Sequence, residues 1–214
     1  MKILGLSQRP IELIAAIGIN GNAKLRQTCY CLYQALALNQ TSHLSDDETC
    51  SELCNASYKG YEKVVKMVLR ERSHLVNCHD NYGYTALNLA SRLWSRKSIV
   101  KLLLDHGADV NVKDEYVGET AIMYASRLGR ESTVKLFLDH GADVSVQDKD
   151  GYTSLMLGSK YGHERIVKLL LDHGADVNAQ NKDGETALME ASWSGHETIA
   201  KLLKANGATS YYGR

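Results

Sequence analysis

The sequence predicts an all-α solenoid in which helix-turn-helix units stack on one another behind short β-turn or hairpin tips. The first observation is a phrase that reads LLLDHGADVN from Leu169 and recurs along the chain. Its glycine returns at spacings of 34, 33 and 33 residues, as Gly107, Gly141, Gly174 and Gly207. A period in this range is typical of stacked structural units that bury their apolar faces against one another.

A second phrase lies upstream of these glycines and completes the unit. It opens with Asp or Asn and reaches a glycine a few residues later, which is a turn signal, and a threonine two residues after that glycine is a good N-cap. The copies begin at Asp80, Asp114, Asp148 and Asn181, and their threonines are Thr85, Thr120, Thr153 and Thr186. The leucines before Gly174 form the apolar stripe of a second helix, which that glycine ends in the left-handed conformation.

The two phrases together resemble the ankyrin repeat, a turn plus two helices over 33 residues that carries T-P-L-H-x-A. The resemblance extends from Asp80 to about Thr209. The proline of the family is replaced by Ala86, Ala121, Ser154 and Ala187, and its histidine by Asn88, Met123, Met156 and Met189. These replacements remove a residue suited to the first helical turn and a hydrogen bond of the family, so we expect lower stability in the same fold.

The repeat frame divides the chain into an N-terminal region and five repeats. The repeats span about 47–79, 80–113, 114–147, 148–180 and 181–214, and the first is degenerate, with Ser73 at the glycine position. Residues 1–46 are interpreted as a helical capping region that covers the end of the solenoid. The alternative is a separate functional element that recruits its own partner.

Composition argues against several functional classes. Lys plus Arg and Asp plus Glu each number 25, so no net field attracts nucleic acid. No stretch approaches the roughly 18 apolar residues of a membrane span, so we expect no membrane insertion. The five cysteines are an odd, clustered set without a convincing secretory signal, which favours free thiols in a reducing cytoplasm. We expect a monomer.

The sequence contains no recognisable catalytic motif, so we expect neither an enzyme nor a cofactor. It lacks a Gly-rich phosphate loop, G-x-S-x-G and H-E-x-x-H. His106, His140 and His173 occupy one repeated position, which indicates a structural role at the helix end.

A metal site is the chemical alternative. Cys50 and Cys54 are four residues apart on a predicted helix, and His74, Cys78 and His79 follow. Their spacing matches no standard zinc pattern, and a buried cysteine often acts as a small apolar residue. We therefore predict no metal, but keep as an alternative function a metal- or ligand-binding regulator that uses the cysteine-rich N-terminal third.

The resemblance implies that a partner contacts the turn tips and the exposed side of the first helices. The tips include Glu119, and acidic tips beside a basic and aromatic strip suggest a protein or peptide partner of mixed charge. Tyr, Trp and Arg are enriched at binding hot spots. The predicted partner-binding residues are Tyr58, Tyr82, Tyr84, Arg92, Trp94, Tyr116, Arg127, Leu128, Tyr152, Lys160, Tyr161 and Trp193.

The sequence thus predicts a non-catalytic protein-protein interaction module, acting as an adaptor, scaffold or inhibitor through its concave face. Two repeats carry one extra residue, in the loop near Trp94 and in the turn near Tyr116. Insertions in repeat proteins often map to the binding face, while surface loops also tolerate neutral drift. Both interpretations of these insertions stay open.

Overall fold

The computed structural model describes residues 45–92 and 97–209 of the 214-residue chain. Its helices are α1 (Asp46–Lys59), α2 (Glu62–Glu71), α3 (Ala86–Ser91), α4 (Lys97–Asp105), α5 (Ala121–Arg127), α6 (Glu131–Asp139), α7 (Ser154–Lys160), α8 (Glu164–Asp172), α9 (Ala187–Trp193) and α10 (Glu197–Ala205). A 3-10 helix spans Ser73–Asn77. The predicted capping region lies outside these residues except for its last two positions, and Trp94 lies outside them as well.

The helices form two layers. The inner helices α1, α3, α5, α7 and α9 pack on one another in chain order, and the outer helices α2, α4, α6, α8 and α10 do the same behind them. No strand forms within the described ranges, where a single antiparallel bridge joins His79 to Thr85. The predicted all-α repeat stack is confirmed. Within the same ranges, no helix has the length and apolar character needed to cross a membrane.

Each inner helix after the first begins as its phrase predicts. Thr85, Thr120, Thr153 and Thr186 are the N-cap residues of α3, α5, α7 and α9. The aspartate of the turn phrase holds the tip, since Asp80 Oδ1 accepts the backbone N–H groups of Tyr82 and Tyr84 at 2.9 and 3.0 Å. An aspartate side chain that accepts local backbone donors stabilises a turn in this way.

The outer helices end at the repeated histidine and glycine. Gly141 has φ +79°, and no heavy atom lies within 4 Å of the place where its Cβ would be, so backbone conformation rather than crowding requires glycine there. His140 Nδ1 lies 2.8 Å from the carbonyl oxygen of Leu136, one turn earlier, and His106 and His173 repeat this contact. These histidines therefore satisfy helix-end carbonyl groups, which is a structural role.

Asparagine side chains join successive repeats at the edge formed by the outer-helix ends. Asn111 Oδ1 accepts the backbone N–H of Asp143 at 2.8 Å, and Asn111 Nδ2 donates to the carbonyl of Gly141 at 3.3 Å. Asn77 and Asn178 make the same pair of bonds to the repeats that follow them. We call these three residues the asparagine bridges. The third repeat has Ser145 at this position, and its hydroxyl bonds Asp143 of its own repeat instead.

A continuous apolar core runs between the two layers. Its largest fully buried side chains include Ile99, Ile122, Phe137, Leu155, Ile166 and Leu170. The replacements for the family's histidine are also largely enclosed, with Asn88, Met123 and Met156 at most 1% exposed. Asn88 Nδ2 donates to the carbonyl of Glu119 at 3.3 Å, which supplies a polar link between the second and third repeats.

The first repeat departs from the others. Its inner helix α1 has 14 residues where α3, α5, α7 and α9 have 6 or 7, and it begins with a capping box at Ser45. Its outer helix is followed by the 3-10 helix rather than by the glycine turn, which agrees with the degenerate phrase in the sequence.

The expectation of free cysteine thiols is wrong for one pair. Cys50 and Cys78 form a disulfide with their Cα atoms 6.0 Å apart. The packing of α1 against the segment that leads into the second repeat brings them within the range in which two cysteines can be bridged. Cys54 is free and fully buried, and burial, followed by the charge of Asp80, raises the pKa of its thiol.

Candidate functional site

In the part of the chain that the structure describes, the exposed large apolar side chains lie on one side of the stack. Within residues 45–92 and 97–209 the exposed large hydrophobic residues are Tyr58 (43%), Tyr82 (78%), Tyr116 (73%), Tyr161 (49%) and Trp193 (59%). Each lies at a turn tip or at the end of an inner helix, and none lies on an outer helix. We call the turn tips together with the accessible side of the inner helices the inner face.

The repeat frame places three positions side by side on this face. The edge position precedes the N-cap threonine, the middle position is the fourth residue of the inner helix, and the end position lies at or beside its last residue. The edge position holds Tyr84, Glu119, Tyr152 and Glu185, the middle position Leu89, Tyr124, Leu157 and Glu190, and the end position Tyr58, Arg92, Arg127, Lys160 and Trp193.

In the third repeat the end and edge positions form an ion pair. The Arg127 guanidinium contacts the Glu119 carboxylate and lies 5.4 Å from the centroid of the Tyr124 ring. Glu119 turns inward to make this pair and is only 3% exposed, so its interpretation as an accessible tip residue was wrong. Tyr124 donates its hydroxyl to Asp114 at 3.3 Å, and burial, with the charge of Asp114, raises its pKa.

In the fourth repeat the carboxylate comes from the repeat that follows. Lys160 Nζ lies 3.3 Å from the Glu190 carboxylate, 3.3 Å from the Tyr152 hydroxyl and 5.0 Å from the centroid of that ring. Burial acts to lower the pKa of Lys160, but the hydrogen bond to Tyr152 and the charge of Glu190 outweigh it and the pKa is raised. Tyr152 in turn donates to Glu185 at 3.3 Å.

In the second repeat the cation lies against two tyrosine rings. The Arg92 guanidinium carbon lies 5.4 Å from the Tyr84 ring centroid and 5.5 Å from that of Tyr124. It forms no ion pair with any carboxylate in the described part of the chain, in contrast to Arg127 and Lys160.

A groove of about 410 Å³ opens beside Arg92. We call it the tyrosine groove, and it is lined by Ser51, Asn55, Tyr58, Asp80, Asn81, Tyr82, Tyr84, Leu89 and Arg92. A second groove, of about 550 Å³, lies on the other side of the Tyr82 tip and reaches Glu115 and Tyr116. The two grooves lie side by side at the turn tips of the second and third repeats.

Comparison with known proteins supports the same architecture. The family model for ankyrin repeats (3 copies) matches residues 21–114 and 122–211. The chain belongs to the ankyrin-repeat family. One relative, a protein of Acanthamoeba polyphaga mimivirus named as an ankyrin repeat protein, L289, is 36% identical over 75 residues, covering 34% of this chain and 14% of that protein.

Two mammalian relatives match a shorter stretch of this chain. BCL-6 corepressor-like protein 1 from Mus musculus is 45% identical over 64 residues, which is 29% of this chain and 4% of that protein. The Homo sapiens protein of the same name is 48% identical over 60 residues, 28% of this chain and 3% of that protein. The chain therefore spans a small part of the length of these relatives.

The ankyrin frame brings the predicted binding residues onto one face but gives them two different environments. Tyr58, Tyr82, Tyr116, Tyr161 and Trp193 are exposed. The remaining described members are half-buried: Tyr84, Arg92, Arg127, Leu128, Tyr152 and Lys160. Of these, the three cations and both tyrosines contact one another or nearby carboxylates, so contacts within the ankyrin stack hold this part of the basic and aromatic strip in place.

Sequence reasoning missed the middle position. Tyr124 stacks against both Arg92 and Arg127, and Glu190 pairs with Lys160. A signal for Glu190 was present, because the same position holds apolar Leu89 and Leu157 in other ankyrin repeats of the chain. A glutamate at a position that is otherwise apolar indicates a specific partner nearby.

The metal alternative finds no support in the described part of the ankyrin stack. There, no group of three or more His, Cys, Asp or Glu side chains is placed to hold a metal ion. The disulfide occupies the thiols of Cys50 and Cys78, and Cys54 donates to the carbonyl of Tyr84 at 3.4 Å. Cys29 and Cys31, also in the cysteine-rich third, lie outside the described residues.

Proposed function

We propose that this ankyrin-repeat chain is a non-catalytic interaction module that binds a partner protein on its inner face. The observation that carries the proposal is the placement of the exposed Tyr and Trp side chains among the described residues, each of which lies on a turn tip or at an inner-helix end. Such residues bury a large area at a binding site while keeping a polar group for a hydrogen bond. The same activity would serve an adaptor, a scaffold or an inhibitor.

The half-buried residues beneath these aromatic side chains support rigid recognition. Arg127 and Lys160 are already held by Glu119 and Glu190, so few of their rotamers remain to be ordered when a partner binds. A preorganised surface loses less conformational entropy on association and therefore binds more tightly for the same contacts.

A protein partner fits the charge of this face better than nucleic acid. Protein surfaces that bind nucleic acid present cations that neutralise its phosphate groups. Here the overall charge is balanced at 25 cationic and 25 anionic residues, and two of the three cations at the end position are paired with carboxylates.

The proposal is tested by truncating the two large aromatic side chains of the last repeats, Tyr161→Ala together with Trp193→Ala. Both are exposed, so we expect unchanged helical circular dichroism and an unfolding midpoint within experimental error. Affinity capture from the native cell with quantitative mass spectrometry should recover a specific partner with the wild type and lose it with the double variant.

A matched control truncates two exposed residues of the outer helices, Lys135→Ala together with Lys168→Ala. This control should capture the partner as the wild type does. Equal capture by the wild type and the Tyr161 and Trp193 double variant would show that the inner face is not the binding surface.

A further inference from the structure

Three cations at the end position share one kind of contact and differ in another. Arg92, Arg127 and Lys160 each lie against a tyrosine ring, with distances to the nearest ring centroid of 5.4, 5.4 and 5.0 Å. Arg127 and Lys160 also have a glutamate partner, and each of those glutamates is at most 4% exposed. The chain itself therefore shows that a carboxylate completes this environment.

The register explains why Arg92 differs. Arg127 receives its carboxylate from the edge position of its own repeat, and Lys160 receives one from the middle position of the next repeat. Around Arg92 these two positions hold Tyr84 and Tyr124. Stacking on the rings is attractive but uses none of the five N–H donors of a guanidinium. Within the described part of the chain, no carboxylate forms an ion pair with Arg92.

We propose that the tyrosine groove binds a segment of the partner protein through a glutamate or aspartate whose carboxylate pairs with Arg92. This inference rests on the proposed function, because it names the chemistry that the inner face recognises. A carboxylate accepts two parallel N–H bonds from a guanidinium, and such charge-assisted pairs are about twice as strong as neutral hydrogen bonds.

The rest of the groove selects a protein segment over a free anion. Tyr58, Tyr82, Tyr84 and Leu89 present aromatic and aliphatic surface around Arg92, and Asn81 adds an amide at the rim. A small anion would contact Arg92 and leave most of the 410 Å³ unfilled, whereas the neighbours of an acidic residue in a peptide would occupy it.

The groove also favours one acidic residue over an acidic run. The Asp80 carboxylate lines the same groove and is fixed there by the backbone N–H groups of Tyr82 and Tyr84. A second negative charge on the bound segment would meet Asp80 and be repelled. The ligand is therefore a segment with a single Asp or Glu flanked by uncharged side chains.

The experiment selects binders from a random-sequence peptide library displayed on phage, using the immobilised full-length protein, and measures the affinities of the synthesised peptides. We expect inner-face binders to carry one Asp or Glu, and its replacement by Asn or Gln to weaken binding about tenfold or more. Arg92→Gln should weaken the parent peptide to the same degree and leave the amide peptide unaffected.

Two further variants separate charge pairing from loss of structure. Tyr84→Glu places a carboxylate at the edge position that Glu119 occupies beside Arg127, so it should supply Arg92 with an internal partner and weaken the acidic peptides about tenfold. Arg165→Gln removes an exposed arginine of an outer helix, whose side chain is 85% accessible, and should change nothing. Circular dichroism and unfolding midpoints check that every variant is folded.

The outcomes distinguish the two proposals. Peptides that lose affinity with the Tyr161 and Trp193 double variant, yet bind Arg92→Gln as they bind the wild type, would overturn the carboxylate proposal and keep the proposed function. A selection that yields no peptide sensitive to any inner-face substitution would count against both. A phosphoserine at the acidic position that binds more than about tenfold tighter than glutamate would overturn the carboxylate in favour of a phosphorylated partner.

Discussion

The outer-helix edge and the inner face of this stack use the same repeat register in opposite ways. At the outer edge, Asn77, Asn111 and Asn178 repeat one side chain and one pair of hydrogen bonds. On the inner face, the end position changes from Tyr58 through three cations to Trp193. At the outer edge one repeated side chain joins the repeats, whereas on the inner face the residues that join them differ from copy to copy, as in Lys160 with Glu190. We propose that recognition uses the residues that differ.

The largest expected effect tests Gly141, the glycine that follows the end of outer helix α6. Gly141→Val should lower the free energy of unfolding by about 2 kcal/mol, because Gly141 has φ +79° and a β-branched residue is strained there. Urea denaturation followed by circular dichroism measures the change. Gly141→Ala should cost about half as much, since alanine is strained less. An unshifted midpoint for the valine variant would show that the helix end tolerates another conformation.

A smaller loss is expected at an asparagine bridge. Asn111→Ala should lower the free energy of unfolding by about 1.5 kcal/mol, because it removes two hydrogen bonds to the third repeat, at Gly141 and Asp143. The matched control is Ser145→Ala, at the same register but without a bond to the next repeat, and it should change stability by less than about 0.5 kcal/mol. Equal losses at the two positions would contradict the bridging role.

Adding an asparagine bridge to the third repeat, which lacks one, should raise the stability of the protein. Ser145→Asn places an asparagine where the third repeat meets the fourth, and it should raise the free energy of unfolding by about 1 kcal/mol if it makes the bonds that Asn111 makes. Thermal unfolding of Ser145→Asn and of the wild type under the same conditions measures the difference. A stability equal to or below the wild type would mean that this junction is spaced differently from the others.

The smallest effect concerns the inner face and appears only at alkaline pH. The pKa values of Tyr124, Tyr152 and Lys160 are all raised in the folded protein, so each group retains its proton there at a pH where the unfolded chain has lost it. Stability therefore falls as the pH rises above the unfolded values, which lie at about 10.

Urea midpoints measured between about pH 8 and pH 11 test this dependence. Tyr124→Phe removes one of the three groups, so the decline of its stability with pH should be shallower than that of the wild type. Parallel declines would show that Tyr124 does not contribute to the effect.

The features that could be predicted from the sequence are those set by interactions within a single repeat. The threonine N-caps, the Asp80 turn and the left-handed Gly141 all follow from local backbone preferences, and the structure confirms them. The exposure of Tyr82 and Tyr116 also follows from their place at turn tips.

The features that sequence reasoning missed depend on contacts between elements. Whether Glu119 points outward or pairs with Arg127 is decided by side chains that meet only after the inner helix has formed. The disulfide depends on the packing of α1 against the segment that leads into the second repeat, which brings Cys50 beside Cys78. Neither the Glu119–Arg127 pair nor the Cys50–Cys78 pair occurs at the same positions of another repeat, so the sequence offered no second copy from which to predict either contact.

Hydrogen-deuterium exchange of the protein, with and without the partner recovered by capture, tests most directly whether the inner face is the binding surface. We expect the partner to slow exchange in segments containing the turn tips, among them residues 80–84 and 115–119, and to leave the outer helices α6 and α8 unchanged. Protection confined to the outer helices or to the edge of the asparagine bridges would contradict it, because recognition would then use the repeated residues and not the varied ones.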